Sequence, residues 1–148
     1  MKSHLAFLAF LTFFACSKDP VPSPYNNVMD GMYHCQQSSA LDSAATYQAL
    51  VGTWQWRFVR STSWEYYESE EEYLGYELTF GSDGNVFLNQ NDTASIEGHW
   101  SLENSWVNFS LSTQPYLPTV FGQVVLCEDF LMFYSSPMDG PDHLYEKQ

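Results

Sequence analysis

The sequence predicts an all-β fold, an eight-stranded antiparallel up-and-down barrel that follows an N-terminal leader and a linker. Three observations support this fold. Apolar and polar residues alternate in eight short segments, tight turns join most of these segments, and no long helical pattern follows residue 50. Eight strands connected in this way close readily into a barrel, which leaves no exposed edge. A β-sandwich is the alternative, but only residues 61–73 are long enough for the crossover it needs.

The predicted strands begin at residue 53, and residues that favour turns separate them. In the first strand, Trp54 and Trp56 alternate with Gln55, which is the period of two that is typical of a strand. The next two strands form a hairpin around residues 81–84, where two glycines favour a turn. The eight strands are predicted at residues 53–60, 76–80, 86–90, 95–102, 107–111, 121–127, 130–134 and 143–147.

An apolar N-terminal segment precedes the predicted domain. Residues 5–15 form a run of 11 mainly apolar residues, which is too short to span a ~30 Å hydrocarbon core and is typical of a secretory signal peptide. The letters F-F-A-C, which end at Cys16, resemble the lipobox of bacterial lipoproteins. This resemblance implies a signal peptide at residues 1–15, a lipidated Cys16 and anchoring in the bacterial cell envelope, at the outer membrane. An ordinary signal peptide with an incidental cysteine is the alternative.

Residues 16–46 are predicted to form a flexible linker. Pro20, Pro22 and Pro24 alternate with other residues, which favours an extended, semi-rigid spacer. The residues that follow are rich in Asn, Ser, Gln and Ala, with a short helix expected at 41–50 near Asp42. The barrel domain is therefore predicted to cover residues 47–148.

Composition and charge argue against nucleic-acid binding and against a disordered chain. The chain has 148 residues, with 5 Lys and Arg against 18 Asp and Glu, so its formal net charge is −13. Such an acidic chain is not expected to bind nucleic acid, whose phosphates it would repel. Aromatic residues make up 18% of the chain, which argues against disorder because they supply enough apolar surface to bury.

The sequence contains no motif that indicates catalysis. Neither the G-x-S-x-G nor the H-E-x-x-H pattern occurs, and no glycine-rich phosphate loop is present. His34, His99 and His143 do not have the spacing of metal ligands. The protein is therefore predicted not to be an enzyme and to require no metal or cofactor.

Four segments of the predicted barrel resemble the lipocalin family. Residues 49–54 read A-L-V-G-T-W and resemble the G-x-W opening of that family. Residues 78–84 and 98–104 resemble hairpins of lipocalin-like domains in bacterial lipoproteins, and L-Y-E-K at 144–147 is similar to the closing strand. The resemblance implies that Trp54 closes one end of the barrel with Lys147 over its ring. It also implies that the barrel binds a small apolar molecule without catalysis.

The residues predicted to face the barrel interior are bulky, which leaves two functions open. A cavity between them would hold a small apolar ligand, whereas a filled barrel would indicate a structural or protein-interaction module of the envelope. Trp64, Phe87, Trp106 and Phe133 are expected to lie outside the inward set, although a shift of one residue in register would reverse this assignment. The cavity candidates are Trp56, Phe58, Tyr76, Leu78, Phe80, Leu88, Trp100, Val107, Phe109 and Leu126.

An acidic segment connects the first two predicted strands. Residues 65–73 carry five glutamates interleaved with tyrosines, and in the lipocalin family this connection is the lid over the open end. A solvated acidic lid is predicted. A cation site is the alternative, but the D-x-D-x-D-G pattern of a calcium loop is absent.

Cys35 and Cys127 remain if Cys16 carries a lipid. Export would place both in an oxidising compartment, where a pair of cysteines tends to form a disulfide bond. A disulfide between them is predicted, and two free thiols are the alternative.

Overall fold

The structure, a computed structural model, describes residues 22–38, 41–62, 66–91, 94–105 and 108–148. The predicted signal peptide and Cys16 lie outside these residues. Within the described ranges, two helices, α1 (Pro24–Ser38) and α2 (Ser43–Leu50), precede the sheet, and a 3₁₀ turn at Ser136–Met138 follows the eighth strand. The strands are β1 (Gly52–Ser61), β2 (Tyr67–Ser69), β3 (Tyr76–Phe80), β4 (Asn85–Gln90), β5 (Ala94–Asn104), β6 (Phe109–Gln114), β7 (Gln123–Cys127), β8 (Phe130–Tyr134) and β9 (Asp142–Lys147).

Eight of the nine strands in the described part of the chain form a closed barrel. β1 pairs with β3, each following strand pairs with the next, and β9 returns to pair with β1. All of these pairs are antiparallel, so the predicted eight-stranded up-and-down barrel is confirmed. The additional strand, β2, lies in the predicted lid and pairs with the end of β1, where Arg60 is opposite Glu68. Three residues are too few for an alternating pattern to reveal this strand in the sequence.

Apolar side chains from every strand of the wall fill the barrel interior. The largest are the rings of Trp54, Trp56, Phe80 and Tyr145, all of which are fully buried. Phe133, which was expected outside, also lies in this core, so that prediction is wrong. It pairs with His143 and Val124, and β8 turns toward the interior the alternate set of residues that includes Phe133.

A β-bulge in β1 changes the face that the second half of the strand presents. β1 and β9 pair first as Trp56 with Tyr145 and then as Phe58 with Leu144, so β1 contains one extra residue. After the bulge Val59 contributes to the core, whereas Phe58 and Leu144 belong to a separate cluster outside the wall. The prediction of Phe58 as an inward residue is wrong, because one extra residue reverses the alternation.

α1 covers this outer cluster. Met29 and Met32 lie three residues apart on one helix face and are buried against Phe58 and Leu144. A disulfide bond between Cys35 and Cys127 joins α1 to the end of β7. None of the described helices is both long and apolar enough to cross a membrane.

The flexible linker predicted for residues 16–46 is wrong over most of its described length. Pro24–Ser38 is helical because a proline is tolerated in the first helical turn, and because the two methionines supply one apolar face. The short helix expected at 41–50 is present, and the Asp42 carboxylate caps it by accepting a hydrogen bond from the Ala45 N–H at 2.8 Å. The first part of the predicted linker, residues 16–21, lies outside the described residues.

The start of β1 and the end of β9 meet at the end of the barrel where α2 lies. The Trp54 indole N–H donates to the Leu50 carbonyl at 2.7 Å. The Lys147 ammonium lies 5.0 Å from the centre of the Trp54 ring and donates to the Ala49 carbonyl at 3.1 Å. These are the two side chains for which the lipocalin resemblance implied such a contact.

Candidate functional site

Within the described residues, strand pairing in the barrel wall is shortest between β6 and β7. Two residue pairs join these strands there, Phe109 with Val124 and Ser110 with Gln123. Beyond them the chain leaves the sheet, since Pro115 and Pro118 have no N–H to donate to a ladder. Residues 115–122 therefore form a loop where the wall would otherwise continue.

The inner side of this loop closes the gap. Leu117 and Val120 are buried in the barrel core, and the Val120 N–H donates to the Leu117 carbonyl at 3.0 Å. The Leu117 N–H also donates to the Thr113 hydroxyl of β6 at 3.2 Å. The loop thus replaces strand pairing on the inside of the wall and leaves a depression on the outside.

That depression is a groove of about 360 Å³, which we call the lateral groove. Leu111 and Val120 of the core lie at its apolar base, and Glu103 is the charged residue among the described residues that line it. The other lining residues are Ser105, Ser110, Ser112, Thr113, Tyr116, Phe121, Gly122, Gln123, Tyr134, Pro137 and Met138.

Three large apolar residues on the rim of the lateral groove are exposed. Tyr116 is 63% exposed, Phe121 41% and Met138 53%. The rings of Tyr116 and Phe121 meet edge to face, with their centres 6.1 Å apart. Exposed apolar residues around a concave surface are typical of a binding site.

Buried and part-buried hydrogen bonds hold the rim in place. The Ser135 hydroxyl donates to the Phe121 carbonyl, and the Ser135 N–H donates to the Asp142 carboxylate at 2.7 Å. The Ser136 N–H and hydroxyl donate to the same carboxylate at 2.9 and 2.6 Å, which positions the 3₁₀ turn that carries Met138. Burial nevertheless raises the pKa of Asp142 above its usual value.

A second depression, of about 400 Å³, lies between the start of α1 and the acidic lid. Its carboxylates include Glu68, which accepts hydrogen bonds from the Asn26 amide and the Tyr66 hydroxyl, both at 2.6 Å. These hydrogen bonds lower the pKa of Glu68. Among the described residues, no three His, Cys, Asp or Glu side chains are grouped to hold a metal ion. Glu65 of the predicted lid lies outside the described residues.

Polar groups also lie inside the barrel below the lid. The Trp56 indole N–H donates to His143 Nδ1 at 3.4 Å, and the ring of Tyr73 meets both of these rings edge to face. Burial lowers the pKa of His143 to about 4, so its imidazole is neutral at pH 7. The hydroxyls of Thr119 and Tyr145 are also fully buried.

The described members of the predicted cavity set lie in three different environments. Trp56, Leu78, Phe80, Leu88, Trp100 and Leu126 are buried in the core, where Tyr76 packs against them. Phe109 lies half-buried at the gap between β6 and β7, and Phe58 lies under α1. Val107, like the predicted outward residues Trp64 and Trp106, is outside the described residues.

Of the candidates that the structure describes, none lines the lateral groove and Phe58 alone lines the second depression. Sequence reasoning missed Tyr116, Phe121 and Met138, which lie in or beside loops. One available signal was Tyr116 itself, because a large aromatic residue in a loop with two prolines cannot belong to the alternating core pattern.

Comparison with known proteins identifies no family for this chain. No family model matches the sequence, and no curated protein matches it significantly. A solved structure with a similar fold is that of a DUF4847 family protein from Bacteroides vulgatus ATCC 8482. It has 12% sequence identity and a TM-score of 0.47, and the alignment covers 67% of this chain and 95% of the other.

Proposed function

We propose that this protein is a non-catalytic binding domain of the bacterial cell envelope, and that the lateral groove holds an apolar group of its ligand. The observation that carries the proposal is the groove itself, about 360 Å³ with exposed Tyr116, Phe121 and Met138 on its rim. This volume falls within the range of ~300–1,000 Å³ that is usual for small-molecule sites. Aromatic and methionine side chains on the rim favour an apolar or aromatic ligand group.

The bulky side chains buried inside the barrel favour a binding site on the barrel wall. In lipocalin-like binding, the ligand would lie between the inward side chains. Among the described residues, Trp54, Trp56 and Phe80 are fully buried in one core cluster there, so a ligand would compete with these rings for space. The groove needs no such rearrangement, because it is open to solvent.

Binding of a neutral apolar dye tests this proposal. N-phenyl-1-naphthylamine increases its fluorescence in apolar surroundings and carries no charge that the acidic chain would repel. We expect the dye to bind, and Tyr116→Ala and Phe121→Ala together to raise its Kd about tenfold or more. Tyr66→Ala is the matched control, since Tyr66 is also 63% exposed but does not line the groove.

Equal affinity in the wild type and the double variant would contradict the proposal, as would absence of dye binding. The thermal unfolding midpoints of the variants show whether the fold is intact. Large losses are not expected, because both side chains are substantially exposed.

The proposed anchor is a lipid on Cys16. Seven residues separate Cys16 from Pro24, where α1 begins, so the lipid would hold the barrel close to the membrane. Removal of Lys2 with the signal peptide would leave a formal charge of −14, which anionic headgroups repel, so the attachment must come from the lipid.

Mass spectrometry of the protein from a bacterial host tests this anchor. We expect globomycin to block processing of the wild type, and the Cys16→Ser variant to carry no lipid. A processed wild type without added lipid mass would contradict the anchor.

The bulky side chains buried in the barrel core also favour a protein-interaction module as a second function. The same groove would then receive a side chain of a protein partner rather than a free small molecule. Exposed aromatic residues are enriched at protein interfaces, which is consistent with this alternative.

A further inference from the structure

β6 pairs with its two neighbouring strands to different extents. On one side its pairs with β5 extend along the whole strand, from Phe109 to Gln114. On the other side its pairs with β7 stop at Ser110. Residues 111–114, which we call the free edge of β6, therefore have no strand partner on this side within the described part of the chain.

The free edge has the length and position to accept a further strand. Four residues at about 3.3 Å each extend for about 13 Å, and their outward N–H and C=O groups form a template for pairing. The lateral groove follows this edge, since Leu111, Ser112 and Thr113 line it. Backbone groups that are available for pairing and an apolar groove thus lie side by side.

We propose that the lateral groove binds an extended peptide segment of a partner protein, which adds to the free edge of β6 as a strand. The inference rests on the proposed function, because it uses the same groove and names the class of ligand. In this mode of recognition, backbone hydrogen bonds contribute affinity and alternate side chains contribute specificity.

The two sides of the wall impose different side-chain requirements on the peptide. On the inner side, Leu117 and Val120 already fill the gap, so inward side chains of the peptide must be small. On the outer side, Phe121 and Met138 are exposed and provide apolar contacts for larger side chains. The preferred peptide therefore alternates small and large apolar residues.

Charge complementarity favours a basic peptide. Glu103 is the charged residue among the described residues that line the groove, and the chain has a formal net charge of −13. Lysine or arginine beside the apolar residues would be attracted to this surface, and an acidic peptide would be repelled.

A synthetic peptide tests the inference. It has seven residues, with lysine at each end and Tyr-Ala-Val-Ala-Tyr between them, and fluorescence anisotropy reports its binding to the full chain. Two N-methylated versions carry methyl groups on the even-numbered or on the odd-numbered residues. A β-strand directs alternate N–H groups to opposite edges, so only one version blocks pairing with β6. We expect one version to lose affinity at least about tenfold and the other to stay within about twofold.

Side-chain variants separate the groove from the rest of the surface. We expect Phe121→Ala to raise the peptide Kd about tenfold, and Glu103→Gln to raise it and to reduce its dependence on salt. Tyr66→Ala serves as the matched control and should leave the Kd unchanged.

The outcomes distinguish this inference from the function on which it rests. If the naphthylamine dye binds in the groove but the peptide does not, the inference is overturned and the proposed function stands. Equal affinity of the two N-methylated versions also overturns it, because strand pairing would then make no contribution. If neither dye nor peptide binds, both proposals fail.

Discussion

Trp54 combines three interactions at one end of the barrel. Its ring is buried in the core, its indole N–H is bonded to the Leu50 carbonyl, and the Lys147 ammonium lies over its face. Burial of the ring is the largest of these contributions, because the area removed from water is large. The cation over the ring adds about 0.5–2 kcal/mol, depending on how far it is shielded from water.

At this residue we expect Trp54→Ala to reduce the free energy of unfolding by about 3–5 kcal/mol. Trp54→Phe keeps most of the apolar area but loses the hydrogen bond, and should cost less. Urea unfolding at pH 7 measures both variants. A loss near zero in Trp54→Ala would contradict a buried role for this ring.

His143 makes the stability of the fold depend on pH. Its pKa is about 4 in the folded protein, lowered mainly by burial, against 6.5 when exposed. As the pH falls below 6.5, the unfolded chain takes up a proton and the folded one does not, so stability is lost until the pH approaches 4. The expected loss is about 3 kcal/mol, whereas the raised pKa of Asp142 acts in the opposite direction.

The pH prediction is tested by comparing the wild type with His143→Gln. We expect the free energy of unfolding to fall more steeply between pH 6.5 and 4 in the wild type than in the variant. The comparison cancels Asp142 and the other carboxyls, which both proteins share. Parallel curves would show that His143 does not carry this dependence.

Among the elements, α1 depends most on a contact that is distant in sequence. It covers the outer cluster of Phe58, Val125, Met132 and Leu144, and the disulfide bond joins residues 92 positions apart. Without this bond, the helix would be held mainly by Met29 and Met32 and their neighbours. A cross-link over so long a loop restricts the unfolded chain strongly.

For this element we expect replacement of both Cys35 and Cys127 by serine to cost about 4–5 kcal/mol on the chain-entropy estimate. Urea unfolding of the oxidised wild type and the double variant measures the difference. Thiol titration of the unfolded wild type provides the check on the bond itself. If both cysteines react before reduction, the disulfide bond is absent.

In the whole molecule, acidic residues greatly outnumber basic ones. Among the described residues, the ion pairs are Arg57 with Glu146 and Arg60 with Asp30, at 2.7 and 3.0 Å. The formal net charge of −13 remains when the arginines of these pairs are counted, so carboxylates repel one another across the surface of the fold.

We therefore expect salt to stabilise the molecule at pH 7. Raising ionic strength from about 0.01 to 0.15 M shortens the Debye length to about 8 Å and should raise the thermal unfolding midpoint. Near the isoelectric point of about 4.3 the same addition should have little effect. A midpoint that falls with salt at pH 7 would contradict this explanation.

Much of the barrel follows from local patterns in the sequence. Trp54 and Trp56 alternate with polar residues, as do Leu78 and Phe80, and such alternation depends only on neighbouring residues and on the pleat of a strand. The number of wall strands, their antiparallel order and the position of most core residues could therefore be predicted.

What only the tertiary structure decided depends on pairing between distant segments. The bulge after Trp56 places Phe58 outside the wall, and the apolar face of α1 then has a cluster to cover. The loop after Pro115 replaces strand pairing between β6 and β7 and forms the lateral groove. Alternation specifies the two faces of each strand, but not where a register shifts or where two strands separate, because these depend on the fit of side chains from the whole barrel.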